Sequence, residues 1–333
     1  MATIYEVAES AGVSPKTAAR ILNGASRRSK SRDKVLRCAQ TLGYVRNQQA
    51  ANLRTGRSQL IGVLVPFIDN PFYTKFLQEV HDALATRHYH SLVACSFGDP
   101  SDMLAAISLL ERYNVDGVAI DVSEGIMSAE IAARLQQLHR RGRAVVVTGG
   151  QRRDIEFDHL YLDNRNAVGK VVRHLAQRGY EHVGFLGGLP ENLNIDNRLE
   201  GFKVALRANG LAFDPARVSL GSPSLGSVVQ RANALLRVTP RPTAVVCTSD
   251  VIAMVVMKAA FELGLRIPRD VAVTGFDDID QAAFLHPSLT TVRQPLKTMA
   301  EDLADLLVAN PRGSRAGARE KRYEAELVIR EST

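Results

Sequence analysis

A chain of 333 residues exceeds the size at which one hydrophobic core keeps growing, so two or three packed units are expected. With 45% hydrophobic and 23% charged residues, its composition is that of an ordinary globular protein and excludes a disordered, coiled-coil or collagen-like chain. The net charge of +7 lies almost wholly in residues 1–58, where eleven Lys or Arg face three acids, leaving −1 for the rest. A compact basic segment on a near-neutral body suits an electrostatic hold on phosphates, whereas a solvated surface without a partner would spread its charge. Cys38, Cys95 and Cys247 are far apart, odd in number and without CxxC spacing, so neither a disulfide framework nor a zinc site is implied. Cys95 and Cys247 each follow a short apolar run and read as small core residues. The first ten residues are polar and acidic, unlike a secretory signal, and no apolar run approaches the about 20 residues of a membrane span. A cytoplasmic protein with no membrane partner is the expectation.

In chain order, Ile4, Val7, Ala8 and Ala11 fall on one face of a first helix that Gly12 stops. Ser14 can cap a second helix with Pro15 at its first position, where the missing N–H is harmless. That helix turns Thr17, Ala18, Ile21 and Leu22 inward and leaves Pro15, Lys16, Ala19 and Arg20 outside. A short helix, a Gly turn and a second helix with outward basic residues is a helix-turn-helix, the arrangement that docks in a major groove. Ser29 can cap a third helix through Val35, Leu36, Ala39 and Leu42, ending at Gly43. Residues 46–58 read as a linker in which Ala50, Ala51 and Leu53 permit a short helix.

From residue 59 short apolar strands alternate with helices. Leu60–Val65 reads as a buried strand, followed by a helix from Phe72 to Tyr89 and strands near Ser91–Cys95, Gly117–Asp121 and Ala144–Thr148. The cycle restarts at His182–Leu186, Ala244–Cys247 and Val271–Thr274. Two such series imply two doubly wound parallel-sheet lobes, each with its ligand edge at the carboxyl ends of the strands, facing each other across a cleft.

The residues Ala2–Ala8, Ala11–Ser14, Thr17, Arg20–Gly24, Leu42–Tyr44 and Leu53–Arg57 together resemble the opening of a lactose repressor family (LacI/GalR-type) regulator. The resemblance continues through Asp69–Phe72, Val115–Gly117, Leu162–Asn164, Arg198–Phe202, Arg241–Val245, Thr248–Asp250, Gly275–Asp278 and Leu289–Pro295, and so covers almost the whole chain. It implies an all-α helix-turn-helix head over residues 1–45, a hinge helix over 46–58 and a periplasmic-binding-protein-like α/β core over 59–333. Within the core, lobe 1 spans about 59–161 plus 293–320 and lobe 2 about 162–291 plus 321–333, with crossovers near Asp163, Thr291 and residue 320. The implied function is a repressor that binds near-palindromic double-stranded operator DNA as a homodimer and responds to a small polar effector, with no cofactor and no metal.

The resemblance implies DNA contacts from Thr3, Ser14, Pro15, Lys16, Thr17, Arg20, Asn23, Asn47, Leu53 and Arg54, with Leu53 matching a leucine that wedges into the minor groove. It implies effector contacts from Phe72, Tyr73, Thr148, Asn194, Arg198, Pro223 and Asp277, the strongest from Arg198 and Asp277. This chain departs from the family pattern at Ala18-Ala19, where a valine and a serine are usual, and at Arg46 and Ala51 in the hinge. Pro223 stands where sugar binders often carry a large aromatic, and the chain has no Trp. The effector class is a sugar or sugar derivative, with sugar acids, polyols, nucleosides and phosphorylated ligands open. Two other readings are weighed. An enzyme lacks support, since no GxGxxG after a strand, Walker loop, nucleophile elbow or HExxH is present, and the acids of Asp277–Asp280 read as caps or ligand acceptors rather than metal ligands. A solute-binding protein would share the two lobes, but the basic head and the polar start argue against it.

Overall fold

In a computed structural model the protein is described over residues 2–22, 30–44, 57–122, 127–150, 156–309 and 318–333. The chain divides into two compact units, Met1–Ser58 and Gln59–Thr333.

The first unit contains α1 (Ile4–Ala11), α2 (Pro15–Leu22) and α3 (Lys30–Thr41). Thr3 begins α1 with a capping box: the Glu6 amide donates to Thr3 Oγ1, and the Thr3 amide donates back to the Glu6 carboxylate. Gly12 ends the helix at φ 65°, a left-handed conformation that favours glycine. Val7, Ala8, Ala11, Ala18, Ile21, Val35 and Ala39 form the small core. Leu36 and Leu42, expected in the apolar run of α3, are instead exposed. The cause is helical geometry, since Leu36 lies one residue, about 100° of rotation, beyond Val35, and Leu42 follows the last helical residue. Ser29 and hinge residues 46–56 lie outside the described residues.

The second unit holds two parallel sheets. β1 (Leu60–Val65), β2 (His90–Cys95), β3 (Gly117–Asp121), β4 (Ala144–Thr148), β5 (Asp158–Leu162) and β11 (Glu320–Tyr323) form the first, in the order β11-β5-β4-β3-β1-β2. Between them run α4 (Pro71–Ala85), α5 (Pro100–Arg112) and α6 (Ala129–Arg140). β6 (Val183–Leu186), β7 (Val218–Ser219), β8 (Ala244–Cys247) and β9 (Ala272–Thr274) form the second, in the order β7-β6-β8-β9. Its helices are α7 (Asn164–Gln177), α8 (Leu193–Ala208), α9 (Leu225–Leu235) and α10 (Asp250–Glu262). All strand pairs within both sheets are parallel, as buried runs rich in Val, Ile and Ala require. Most strands of both sheets therefore end at a helix start, where ligands of such folds collect.

Three chain passages join the lobes. The first leaves β5 at Asp163 for α7. The second returns through β10 (Thr291–Arg293) to α11 (Leu296–Ala309), which packs on α4. The third leaves β11 for β12 (Glu326–Val328), which pairs antiparallel with β10 through Val292 and Leu327. This last passage falls past the expected residue 320, because Glu320–Tyr323 adds an edge strand to the first sheet. The charged sequence of β11 gave no strand pattern, although charge is common on an edge. The helix expected at Phe72–Tyr89 runs Pro71–Ala85 instead: Asn70 caps it with Pro71 in its first turn, and a turn with His88 at φ 61° follows its end.

α8 approaches α7 closely at Gly201, where a Cβ would stand 2.6 Å from the Arg165 carbonyl oxygen. Gly201→Ala is expected to lower stability by about 1–3 kcal/mol through forced separation of backbone from backbone. Urea unfolding would measure it, and an unchanged or higher midpoint would show that the two helices can part freely.

Candidate functional site

On α2 of the first unit, the inward side chains leave a basic outer face. Pro15, Lys16 and Arg20 are exposed, while Ala18 and Ile21 are buried. Ser14 Oγ accepts from the Thr17 amide at 3.2 Å and lies 2.9 Å from Thr17 Oγ1, so both hydroxyls help fix the start of this helix. Thr3 is an exposed cap on α1. Asn23, Asn47, Leu53 and Arg54 lie outside the described residues.

In the second unit a cleft of about 1070 Å³, part of it open to solvent, lies at the carboxyl ends of both sheets. All seven residues expected to meet an effector line it: Phe72, Tyr73 and Thr148 from the first lobe, and Asn194, Arg198, Pro223 and Asp277 from the second. Asn70 caps α4, so Phe72 and Tyr73 stand in the first helical turn with their rings edge to face at 5.0 Å. Phe76 stacks behind Phe72, giving the first lobe an aromatic wall. Across the cleft, Asn192 caps α8 by accepting from the amides of Asn194 and Ile195.

Arg198 is the centre of the polar side. Only 7% exposed, its Nε donates to Asn164 Oδ1 at 2.7 Å, Nη1 donates to the Thr248 carbonyl, and the guanidinium lies 3.5 Å over the Phe276 ring. Asn164 in turn donates to Asn194 Oδ1 at 2.9 Å, so the first residue of α7 orients two pocket side chains. Burial lowers the Arg198 pKa while Asp277 opposes that shift.

Asp277 accepts from Gln294 Nε2 at 2.8 Å. Burial pushes its pKa up to about 8, with Arg198 pulling the other way. Its backbone adopts φ 114° and that of Asp278 φ 50°, a strained pair for residues with side chains and a feature that collects at ligand sites. Asp278 is buried, yet its two oxygens accept from Arg330 and Arg293, and those bonds hold its pKa below the usual value. Asp250 behind them is pushed up to about 7 by burial, although Thr291 and the Ile279 amide donate to it. Asp280 meets Lys75 of α4 at 2.9 Å, an ion pair that joins the lobes. The acids of the 277–280 segment thus have separate partners, and no cluster with metal-binding geometry occurs among the described residues.

The match to known domains follows this geometry. Residues 3–47 fit the domain described as bacterial regulatory proteins, lacI family, and residues 172–333 the periplasmic binding protein-like domain. An HTH-type transcriptional regulator from the aml 5′ region of Streptomyces limosus is 32% identical over 99% of this chain and 94% of its own length. The chain belongs to the lacI family. Among solved structures, the CelR–cellobiose complex has 27% identity and a TM-score of 0.73 with full coverage of both chains. A Lac repressor dimer bound to operator and the anti-inducer ONPF superimposes with a TM-score of 0.85 at 24% identity, covering 99% of this chain and 98% of its own. As a lacI-family member the protein is a DNA-binding transcriptional regulator and not an enzyme, and its periplasmic-binding-like domain is a ligand-binding one. No helix among the described residues is long and apolar enough to cross a membrane.

The cleft of this lacI-family chain also gathers residues to which the sequence had assigned no role. Asn164, Thr248 and Gln294 each sit inside a short family motif, and Asp121 ends β3. Thr248 Oγ1 is buried without a hydrogen-bond partner among the described residues, so it is an available donor and acceptor at the cleft. Motif membership was the signal for the first three, but it did not separate ligand-facing residues from packing ones.

The raised pKa of Asp277 sets a pH dependence. In the native state it holds a proton that the unfolded chain, with an ordinary value of 3.8, releases. That contribution to stability is therefore complete below about pH 4 and is lost as pH rises through about 8. Asp277→Asn is expected to flatten the fall in urea midpoint of the ligand-free protein between about pH 5 and pH 8 relative to the unsubstituted chain. Parallel curves for the two proteins would contradict a buried, proton-holding Asp277.

Proposed function

We propose that this regulator is a repressor whose homodimer grips a near-palindromic operator, and whose operator affinity is set by a neutral polyhydroxylated effector, a sugar or sugar derivative, held between the lobes. In this reading residues 1–45 bind DNA, 46–58 form the hinge and 59–333 bind effector and the second subunit. Lys16 and Arg20, exposed on the second helix of a helix-turn-helix, read base edges. Large exposed aromatics on the second lobe, Phe261 at 82% and Phe284 at 86%, suit coverage by a second copy.

The observation that carries the effector reading is the buried Arg198 facing the same cleft as Asp277. A guanidinium donor and a carboxyl group across one space suit hydroxyls, which both donate and accept. Two of the Arg198 nitrogens are already engaged, Asp277 holds its proton, and Asp121 sets one acid against the Arg198 charge, so the cleft offers an anionic group little net attraction. The aromatic wall of Phe72, Tyr73 and Phe76 supplies the apolar face that a sugar ring needs. The similarity to CelR, solved with cellobiose, and to a Lac repressor dimer, solved on operator, supports this reading.

Two measurements test it. Arg20→Ala should lose about 1–3 kcal/mol of preference for upstream DNA of the chain's own operon over random DNA, read by fluorescence anisotropy. Equal loss on both would remove Arg20 from base reading. A thermal-shift screen of neutral sugars, sugar acids and sugar phosphates, followed by calorimetry, should select a neutral compound. Its affinity should fall by about 2–5 kcal/mol in Arg198→Ala and in Asp277→Ala, with DNA binding retained but no longer responsive. Selection of a phosphorylated sugar would overturn the neutral class, and undiminished affinity in both variants would place the site elsewhere.

A further inference from the structure

Arg231 on α9 is half-buried and uses all five of its N–H donors. Nε donates to Ser227 Oγ, Nη1 to the carbonyls of Gly187 at 2.7 Å and Ser219 at 3.3 Å, and Nη2 to those of Gly221 at 3.4 Å and Ser222 at 2.8 Å. Four of the five acceptors are main-chain oxygens, and burial, with no charged neighbour opposing it among the described residues, lowers its pKa. A cation removed from water usually finds an acid; this one is spread over two loops.

Those loops follow β6 and β7. The first continues from Gly187 into Gly188 and Leu189, the second from Ser222 into Pro223, and Gly188, Leu189 and Pro223 all line the cleft. Two backbone hydrogen bonds also join them: the Gly187 amide donates to the Ser219 carbonyl at 2.9 Å and the Gly221 amide to the Gly188 carbonyl at 3.0 Å. Gly187 is closely enclosed, since a Cβ there would lie 2.8 Å from Leu220 and 3.2 Å from Thr248. The planar fork of a guanidinium can hold both loops in one register, which the single nitrogen of lysine cannot.

We propose that Arg231 is the positioning residue of the second-lobe wall: its guanidinium locks the Gly187–Leu189 and Ser219–Pro223 loops together, so that the wall is preformed and limits the size of sugar admitted. Arg231 acts through the loops and does not touch the ligand. In a chain whose loop carries Pro223 in place of a large aromatic, the wall is defined by backbone, and the backbone is held from behind. The proposal rests on the cleft being the effector site.

The test uses the full chain with Arg231→Gln and Arg231→Lys. Without ligand, hydrogen exchange of segments 187–189 and 219–224 should quicken about tenfold in both variants, while β6, β8 and α10 keep their protection. Calorimetry with ribose and with cellobiose should then show their affinity ratio moving about fivefold toward unity. A merely structural role would weaken both sugars alike and leave the ratio fixed. Unchanged exchange in the two loops, exchange rising across the whole lobe, an unchanged ratio, or full recovery in Arg231→Lys would each overturn the proposal. If the unsubstituted chain bound neither sugar, the same ratio would be read with the compound selected by the screen and a larger homologue of it, and the exchange data would still decide whether Arg231 holds the wall.

Discussion

The second unit is organised around a cation that cannot shed its charge. An arginine stays protonated at any physiological pH, so a guanidinium only 7% exposed obliges its surroundings to supply acceptors. Arg198 receives them from three chain segments: Asn164 at the start of α7, the Thr248 carbonyl after β8 and the Phe276 ring after β9. Each of those segments is fixed by the same requirement, and each also faces the cleft. The elevated pKa of Asp277 belongs to this arrangement, because its carboxyl shares the desolvated space without a direct ion pair to the arginine.

Parallel strands explain why the polar groups converge. Most strands deliver their chain to a helix whose first amides need acceptors, and short polar side chains meet that need. Asn70, Asn192 and Ser249 cap α4, α8 and α10, and all three line the cleft. The cap thus does two things: it starts a helix, and it leaves a polar group at the cleft. The arginine behind the second-lobe loops extends the principle to carbonyls, which strand ends leave unpaired.

Much of this was legible in the sequence. The head was readable because Gly12, Ser14 and Pro15 punctuate two short amphipathic helices, and the punctuation follows from backbone chemistry. The strands of the sheet centres were readable as short apolar runs. Edge and joining strands such as Glu320–Tyr323 and Glu326–Val328 were not, because pairing on one side leaves no burial pattern to detect. The seven expected cleft residues do gather in one place, but their partners Asn164, Thr248 and Gln294 emerged only when distant segments were brought together. Arg231 had no signal of any kind, since a residue that binds main-chain carbonyls imposes no requirement on the side chains around it.

The three passages between the lobes run side by side, and two of them, β10 and β12, are hydrogen-bonded to each other. Tethers bundled in this way can flex together but resist shear and independent twisting. Such a bundle favours a swing of the lobes about it over sliding of one lobe past the other. Information carried along such a swing is a scalar, so the lobes can report how far they are closed but little about which atoms closed them. For an effector held between the lobes, as proposed above, compounds that draw the cleft to the same angle would be equivalent beyond it, and discrimination between them would rest on the pocket wall.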